Sequence, residues 1–318
     1  MTLIRVGTRD SALALRQTEL VIQRLKQMCP DVDFELVPMK TIGDKILDVS
    51  LAKIGQKGLF TKELENALQE GTIDIAVHSL KDLPTELPDG CELITVTERI
   101  DSRDVLVARD GVLLDELPEG ARVGTSSLRR KAQLLNYRPD LRFEDMRGNV
   151  PTRLAKLERD NLDAVVIASA GLERLGLEKA ITQRIPESVC LPAVGQGALG
   201  IEGRAGDKET AAIAYRINHW PTELVATAER AFLRRLGGGC QIPIAALGSM
   251  DSTRLKLDGL VASPDGTRVV RGEISFALAG ESGREGLKDR AESLGVNLAE
   301  ELLSRGAKEI LASIGINL

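Results

Sequence analysis

The run Gly237-Gly238-Gly239-Cys240-Gln241 places a thiol directly after three residues without side chains. Glycine widens the choices of the backbone at an entropic cost and leaves the following side chain unshielded. A cysteine on an open loop is available for covalent chemistry, whereas a structural cysteine is usually buried on a regular element and inert. No base adjoins Cys240 in sequence, so two readings stand: a covalent attachment point and a tight structural turn. A second run, His78-Ser79-Leu80-Lys81-Asp82-Leu83-Pro84, sets a carboxylate beside an ammonium. That pair serves a general acid or base, a stabiliser of developing charge, or a plain surface ion pair. A third feature is a set of arginines, Arg9, Arg129, Arg130, Arg147, Arg153 and Arg174, which follow apolar runs or open helical segments. Helix dipoles favour acidic side chains there. One such arginine alone reads as solvated surface. Together they call for a ligand with many anionic groups, because guanidinium meets carboxylate or phosphate through a planar fork.

Other chemistries are poorly supplied. His78 and His219 are the two histidines, and Cys29, Cys91, Cys190 and Cys240 lie far apart with no CxxC pair. A zinc site and a disulfide framework are therefore both disfavoured, and a core or hydrogen-bonded role is expected of each histidine. The segment from Gly55 to Phe60, with Lys57 and Phe60, follows a stretch of mixed charge without clear period and reads as a loop or lid over a cleft. It lacks the spacing of a phosphate-binding P-loop. Aromatic residues make up 3% of the chain and the net charge is -5, which disfavours a nucleic-acid partner: there are few faces on which bases could stack, and an acidic total repels phosphate polymers. No stretch is apolar enough to span a bilayer, and Met1 to Val6 leads straight into a strand-like segment with no export signal, so a cytoplasmic location is expected.

The elements that must position these residues alternate between short Val- and Ile-rich runs and longer stretches of helical period, the pattern of an α/β protein with largely parallel sheets. Leu3–Val6, Phe34–Met39 and Asp74–Val77 read as strands. Ser11–Met28, capped by Asp10 or Ser11, and Thr61–Gln69 read as helices. The grammar then recurs. Val6-Gly7-Thr8 before Ser11 resembles Val123-Gly124-Thr125 before Ser126 and Ser127, and Asp74-Ile75-Ala76-Val77 ending at Ser79 resembles Asp163-Ala164-Val165-Val166 ending at Ser169. Two similar α/β domains follow. Ligands of such sheets bind beyond the carboxyl ends of the strands, where helix amides receive anions. Thr97–Arg103 and Leu191–Leu199 read as connections, the second returning the chain to the first domain. From Trp220 a helix, a glycine-rich turn, a hairpin around Pro264-Asp265-Gly266 and two closing helices make an α+β domain. The domain boundaries are 1–97 with 198–216, 103–193, and 220–318.

Seven ordered segments, VGTRDSALAL, GQKGLFTKELE, AVHSLKDLPT, RVGTSSLRRKAQL, MRGNVPTRLAKL, AVGQGALGIE and LGGGCQIPI, closely resemble the porphobilinogen deaminase family over essentially the whole chain. The resemblance implies two periplasmic-binding-protein-like (type II) α/β domains plus a smaller α+β C-terminal domain. It implies a dipyrromethane cofactor held by thioether to Cys240, and an enzyme that joins four porphobilinogen molecules into hydroxymethylbilane with release of ammonia. Asp82 and Arg9 then match catalytic positions. Lys81, Asp82, Ser79, Thr125, Ser127, Arg129, Arg130 and Arg147 match cofactor contacts. Arg9, Ser11, Lys57, Phe60, Ser126, Arg147, Arg153, Arg174 and Gln196 match substrate contacts. The resemblance further implies a monomer that binds a small-molecule substrate, without nucleic acid, membrane or metal. The family commonly has cysteine in a segment GIECR, where this chain has Gly203, and a change of local packing is expected there. A non-catalytic carrier of anionic solutes would use the same paired domains, but it needs no glycine-flanked thiol.

Overall fold

In the computed structural model, residues 2–41, 43, 60–239, 242–279 and 283–318 are described. The chain begins with β1 (Thr2–Arg9), whose Ile4 and Val6 are buried, and turns at Ser11 into α1 (Ala12–Met28). The Ser11 hydroxyl accepts the Ala14 N–H at 3.3 Å, which caps the helix and selects Ser11 over Asp10. Gln17, Val21 and Leu25, spaced four apart, bury one face of α1. Then follow β2 (Val32–Met39), α2 (Lys62–Gln69), β3 (Ile75–Ser79), β4 (Cys91–Val96) and β5 (Asp104–Ala108). After these come β6 (Arg122–Gly124), α3 (Leu128–Tyr137), β7 (Arg142–Glu144), α4 (Val150–Arg159), β8 (Ala164–Ala168), α5 (Ser169–Arg174) and β9 (Gln183–Arg184). The last third contains β10 (Leu199–Arg204), α6 (Lys208–Ala214), α7 (Trp220–Arg235), β11 (Ile244–Met250), β12 (Arg254–Ala262), β13 (Val269–Ala277), α8 (Arg284–Leu302) and α9 (Lys308–Ser313).

The strands form two five-stranded sheets of matching order, β2-β1-β3-β10-β4 and β7-β6-β8-β5-β9, and a three-stranded sheet β11-β12-β13. Both large sheets are mixed: the fourth strand in each order, β10 or β5, pairs antiparallel with its neighbours on both sides. The sequence pattern anticipates the parallel strands but not this reversed one. Its origin is topological, because β5 and β10 are the strands that follow each passage of the chain from one large sheet to the other. Contacts divide the chain accordingly into Met1–Ile100 with Gly197–Glu223, and Asp101–Gln196 with Leu224–Leu318.

The duplication extends to single hydrogen bonds. Arg5 N–H donates to the Asp74 carboxylate at 2.9 Å, and Asp74 N–H returns a bond to the Arg5 carbonyl at 2.9 Å. Arg122 and Asp163 repeat the exchange at 2.7 and 2.9 Å. Val6 and Gly7 pair with Ile75 and Ala76 as Val123 and Gly124 pair with Ala164 and Val165. A Cβ on Gly7 would fall 2.3 Å from Ile73 Cδ1, and one on Gly124 would fall 2.4 Å from Met146 Cε, so both strand ends are closed over by a neighbouring side chain. This register corrects one sequence pairing. Ser79 corresponds to Ala168, and Ser169 to Leu80: Leu80 and Ser169 each donate their N–H back to the residue that precedes the antiparallel strand by one, Ala198 and Arg103.

The first sheet is built over Val6, Leu25, Ile75, Val77 and Ile201, and the second over Leu106, Val123, Leu134, Val166 and Ile185. The third sheet is joined to the second through a small apolar cluster of Ala132, Leu191, Ala245, Leu260 and Ala262. There the hairpin turn at Gly266 (φ +73) lies so close to α3 that a Cβ would sit 2.5 Å from the Ala132 carbonyl oxygen, and Asn136 donates to the Gly266 carbonyl at 2.9 Å. Two mixed five-stranded α/β sheets, with a small antiparallel sheet and helices after them, make up the fold. Among the described residues, no helix is long and apolar enough to cross a membrane.

Candidate active site

The parallel strands deliver their carboxyl ends to the residues singled out by chemistry. In the first unit, β1 ends at Arg9, whose guanidinium stacks over the Phe60 ring at 4.2 Å. This contact is worth roughly 0.5–1 kcal/mol at a half-exposed position and helps to orient the cation. Ser11 is committed to its helix cap. Strand β3 ends at Ser79, whose hydroxyl is held by the amide of buried Gln17 at 3.0 Å. Lys81 and Asp82 follow on a single 3-10 turn, Leu80–Asp82, pinned by the buried side chains of Leu80 and Leu83. Lys57 lies outside the described residues.

In the second unit, Thr125 is buried and accepts the Ser127 N–H at 3.3 Å. Ser126 exchanges hydrogen bonds with Met146, both at 2.7 Å, and Ser127 caps α3 by accepting the Arg130 N–H at 3.4 Å. Arg147 and Arg153 flank the start of α4. Arg153 Nε donates to the Gly148 carbonyl at 2.8 Å, and Asn149 caps the helix by accepting the Thr152 N–H at 3.0 Å. Arg174 ends α5, and burial pushes its guanidinium down to about 10, opposed by the charge of Glu173. A desolvated cation of this kind gains most from an incoming anion.

Arg129 and Arg130 are not surface groups. Both side chains are buried around the carboxylate of Asp104, with Arg129 Nη1 to Oδ2 at 2.7 Å and Arg130 Nη2 to Oδ1 at 2.8 Å. Gln196 Nε2 adds a bond to Oδ1 at 2.9 Å and another to the Ser102 carbonyl at 2.6 Å, so Gln196 sits in the same network as the arginine pair. Burial alone would raise the Asp104 carboxyl, yet the two guanidiniums hold it well below the usual carboxylate range. The sequence pattern misses Asp104. It opens the apolar run Asp104-Val105-Leu106-Val107, and no local signal marks it, because its burial depends on arginines 25 and 26 residues away.

His78 takes the core role, one of the two expected of it: it is 5% exposed, and its Nε2 lies 2.9 Å from a carboxylate oxygen of fully buried Glu202. The distance is that of an ion pair, although the angles fall short of a hydrogen bond. His219 faces the Thr222 hydroxyl at 2.8 Å near the start of α7. No cluster of metal-ligating side chains occurs among the described residues. Gly203, buried in β10, leaves room that its neighbour takes: a Cβ would fall 2.2 Å from Ile94 Cδ1, so a larger residue requires that side chain to turn.

Cys240 and Gln241 lie outside the described residues, but the glycines before them separate into distinct roles. Gly237 has φ +63; its N–H donates to the Arg234 carbonyl at 3.0 Å, while Gly238 N–H donates to Leu233 at 2.9 Å. This paired closure ends α7 and requires the left-handed conformation at Gly237. A Cβ on Gly238 would lie 3.1 Å from the Leu233 carbonyl, whereas one on Gly239 meets nothing within 4 Å among the described residues. Gly237→Ala is therefore expected to cost about 1–2 kcal/mol and Gly239→Ala less than about 0.5 kcal/mol, as urea denaturation of the two variants would show. Of the other thiols, burial, reinforced by nearby acidic groups, pushes Cys91 and Cys190 up to about 12, which leaves them protonated and poorly nucleophilic.

Guanidiniums, helix caps and the Asp82 carboxylate at the strand ends define a class: an α/β protein with groups able to receive a multiply anionic ligand, and with an open glycine before a thiol. Comparison with known proteins makes the assignment specific. The chain matches the model for "Porphobilinogen deaminase, dipyromethane cofactor binding domain" over residues 4–212 and the model for "Porphobilinogen deaminase, C-terminal domain" over residues 224–304. It is 56% identical over 308 residues to the porphobilinogen deaminase of Pelotomaculum thermopropionicum, covering 97% of this chain and 96% of that one. It is 54% identical over 311 residues to that of Moorella thermoacetica, covering 98% and 96%. Among solved structures it is similar to the VFT2 domain of BvgS from Bordetella pertussis, with 16% identity and a TM-score of 0.42, over 68% of this chain and 86% of that one. The chain belongs to the porphobilinogen deaminase family.

Proposed function

We propose that this enzyme of tetrapyrrole biosynthesis joins four molecules of porphobilinogen into the linear tetrapyrrole hydroxymethylbilane, releasing ammonia at each addition, with the growing chain attached through Cys240. Membership of the family over nearly the full length is the observation that carries this reading. The donor set fits the group that the family binds. Every pyrrole carries carboxylated side chains, and the desolvated guanidinium of Arg174 and the unequal charge around Asp104, two cations to one carboxylate, are suited to receive them. When bound, dipyrromethane supplies a pyrrole terminus for extension.

The chain's own residues then divide the work. Lys81, Ser79, Thr125, Ser127, Arg129, Arg130 and Arg147 hold the cofactor. Arg9, Ser11, Lys57, Phe60, Ser126, Arg147, Arg153, Arg174 and Gln196 hold and orient the substrate, which converts successive encounters into reactions of fixed geometry. Asp82 accepts the pyrrole N–H and offsets the positive charge that develops on porphobilinogen as ammonia departs. Arg9, which stacks on Phe60, acts with Asp82 as a catalytic group. Three domains, 1–97 with 198–216, 103–193 and 220–318, a monomeric state and a cytoplasmic location complete the proposal. Incubating the purified protein with porphobilinogen tests it: ammonia should appear in step with pyrrole consumption and a linear tetrapyrrole should accumulate. Binding of porphobilinogen with no release of ammonia would instead make the protein a carrier.

A further inference from the structure

The two large sheets share their strand order, register and helix caps, so they serve as each other's control. Ser11 caps α1 and Ser127 caps α3, which makes Leu13 and Ala14 the counterparts of Arg129 and Arg130. Leu199 pairs with Ser79 as Asp104 pairs with Ala168, which makes Leu199 the counterpart of Asp104. By cap and strand register, the positions held by Arg129, Arg130 and Asp104 in the second sheet are held in the first by half-buried Leu13 and buried Ala14 and Leu199. The apolar set shows that the fold has no need of charge at these positions. Replacing a buried ion cluster by apolar side chains is also often neutral or stabilising.

The charged set has further properties that packing does not explain. Two guanidiniums against one carboxylate leave one positive charge in excess. Among the described residues, the remaining neighbours do not cancel it: Gln133 and Gln196 are neutral amides, and the Cys190 thiol, pushed up to about 12, is neutral as well. Among the described residues, Arg130 Nε is buried with no hydrogen-bond acceptor. We propose that Asp104 is a positioning residue: its carboxylate fixes Arg129 and Arg130 as a pair with one net positive charge, aimed to receive a carboxylate of the pyrrole ligand. This rests on the reading given above of the chain as a pyrrole-joining enzyme. Asp104 need not touch the ligand. Its effect passes through the two guanidiniums, each of which it holds by one oxygen.

Asp104→Asn keeps the shape and turns one of those oxygens into an N–H donor facing a guanidinium. In folded Asp104→Asn, the KM for porphobilinogen is expected to rise and kcat to fall at least about tenfold, and Asp104→Glu, which restores the charge, should recover part of both. Guanidinium N–H signals of Arg129 and Arg130 in NMR supply a readout independent of turnover: sharp and slowly exchanging in the parent, broadened in Asp104→Asn while the backbone spectrum stays native. Parental kcat and KM in folded Asp104→Asn would overturn the proposal, as would unchanged guanidinium signals. If Asp104→Asn does not fold, Asp104→Glu decides by the same two readouts, since it displaces the charge without removing it; parental kinetics with displaced guanidinium signals would again overturn the proposal. A parent protein that orders these guanidiniums around Asp104 but releases no ammonia from porphobilinogen would refute the enzymatic reading and leave the fixed pair standing as an anion site.

Discussion

Asp82→Ala is expected to fold with the thermal midpoint of the parent and to form product at less than about one-hundredth of the parental rate. The expectation of an intact fold comes from the turn that carries the residue. Leu80 and Leu83, 1% and 3% exposed, anchor the chain on either side of Lys81 and Asp82, and the Leu83 N–H closes the turn on the Leu80 carbonyl at 3.2 Å. Asp82 itself is half-buried, so removing its side chain opens no core cavity, and the change in stability should stay within about 0.5 kcal/mol. Turnover is another matter, because a carboxylate aimed at developing positive charge acts most strongly in the transition state. Asp82→Glu, with the same charge displaced by one methylene, should lie between the two. Ammonia release under saturating porphobilinogen, with thermal unfolding of the same samples, measures both quantities. Near-parental release by Asp82→Ala would remove Asp82 from the chemistry.

The duplicated strand-turn-helix units were legible because each rests on local signals: a β-branched run, a Gly-Thr turn, and a serine whose hydroxyl caps the next helix. Val123-Gly124-Thr125 and the cap at Ser127 carry the same signals as Val6-Gly7-Thr8 and the cap at Ser11; the strand register agrees to the residue, and the cap comes one residue sooner in the second unit. The antiparallel strands β5 and β10 were hidden because their place in the sheets depends on where the chain crosses, a property of topology that no window of neighbouring residues contains. Buried polar groups were hidden for a related reason. Asp104 is drawn inside by Arg129, 25 residues away, and Glu202 lies against His78 on a strand reached only after the chain has crossed twice. The arginines were legible as a set, but not the division within it: Arg129 and Arg130 are buried around a carboxylate, whereas Arg9 lies over an aromatic ring.

Cys240→Ser is expected to abolish the reaction altogether. Serine matches cysteine in shape, and the neighbouring backbone is secured independently of the thiol: Gly237 and Gly238 close α7, and after the cysteine the Pro243 carbonyl accepts the Ala262 N–H at 3.0 Å. The substitution therefore changes the nucleophile, while the described backbone on either side keeps its own hydrogen bonds. A hydroxyl at ordinary pH has almost none of the nucleophilicity of a thiolate. Without a tether the first pyrrole has no fixed terminus to extend, so the loss should exceed that caused by removing any single binding arginine. Mass spectrometry of the intact protein reads the cause directly. The parent should carry an added mass equal to two linked pyrroles, and Cys240→Ser should have the mass of the bare chain and release no ammonia. Persistence of the added mass in Cys240→Ser would move the tether to another cysteine. Since burial and acidic neighbours push the Cys91 and Cys190 thiols up to about 12, that result would point to Cys29 at the end of α1, and it would leave the open conformation at Gly239 without a chemical purpose.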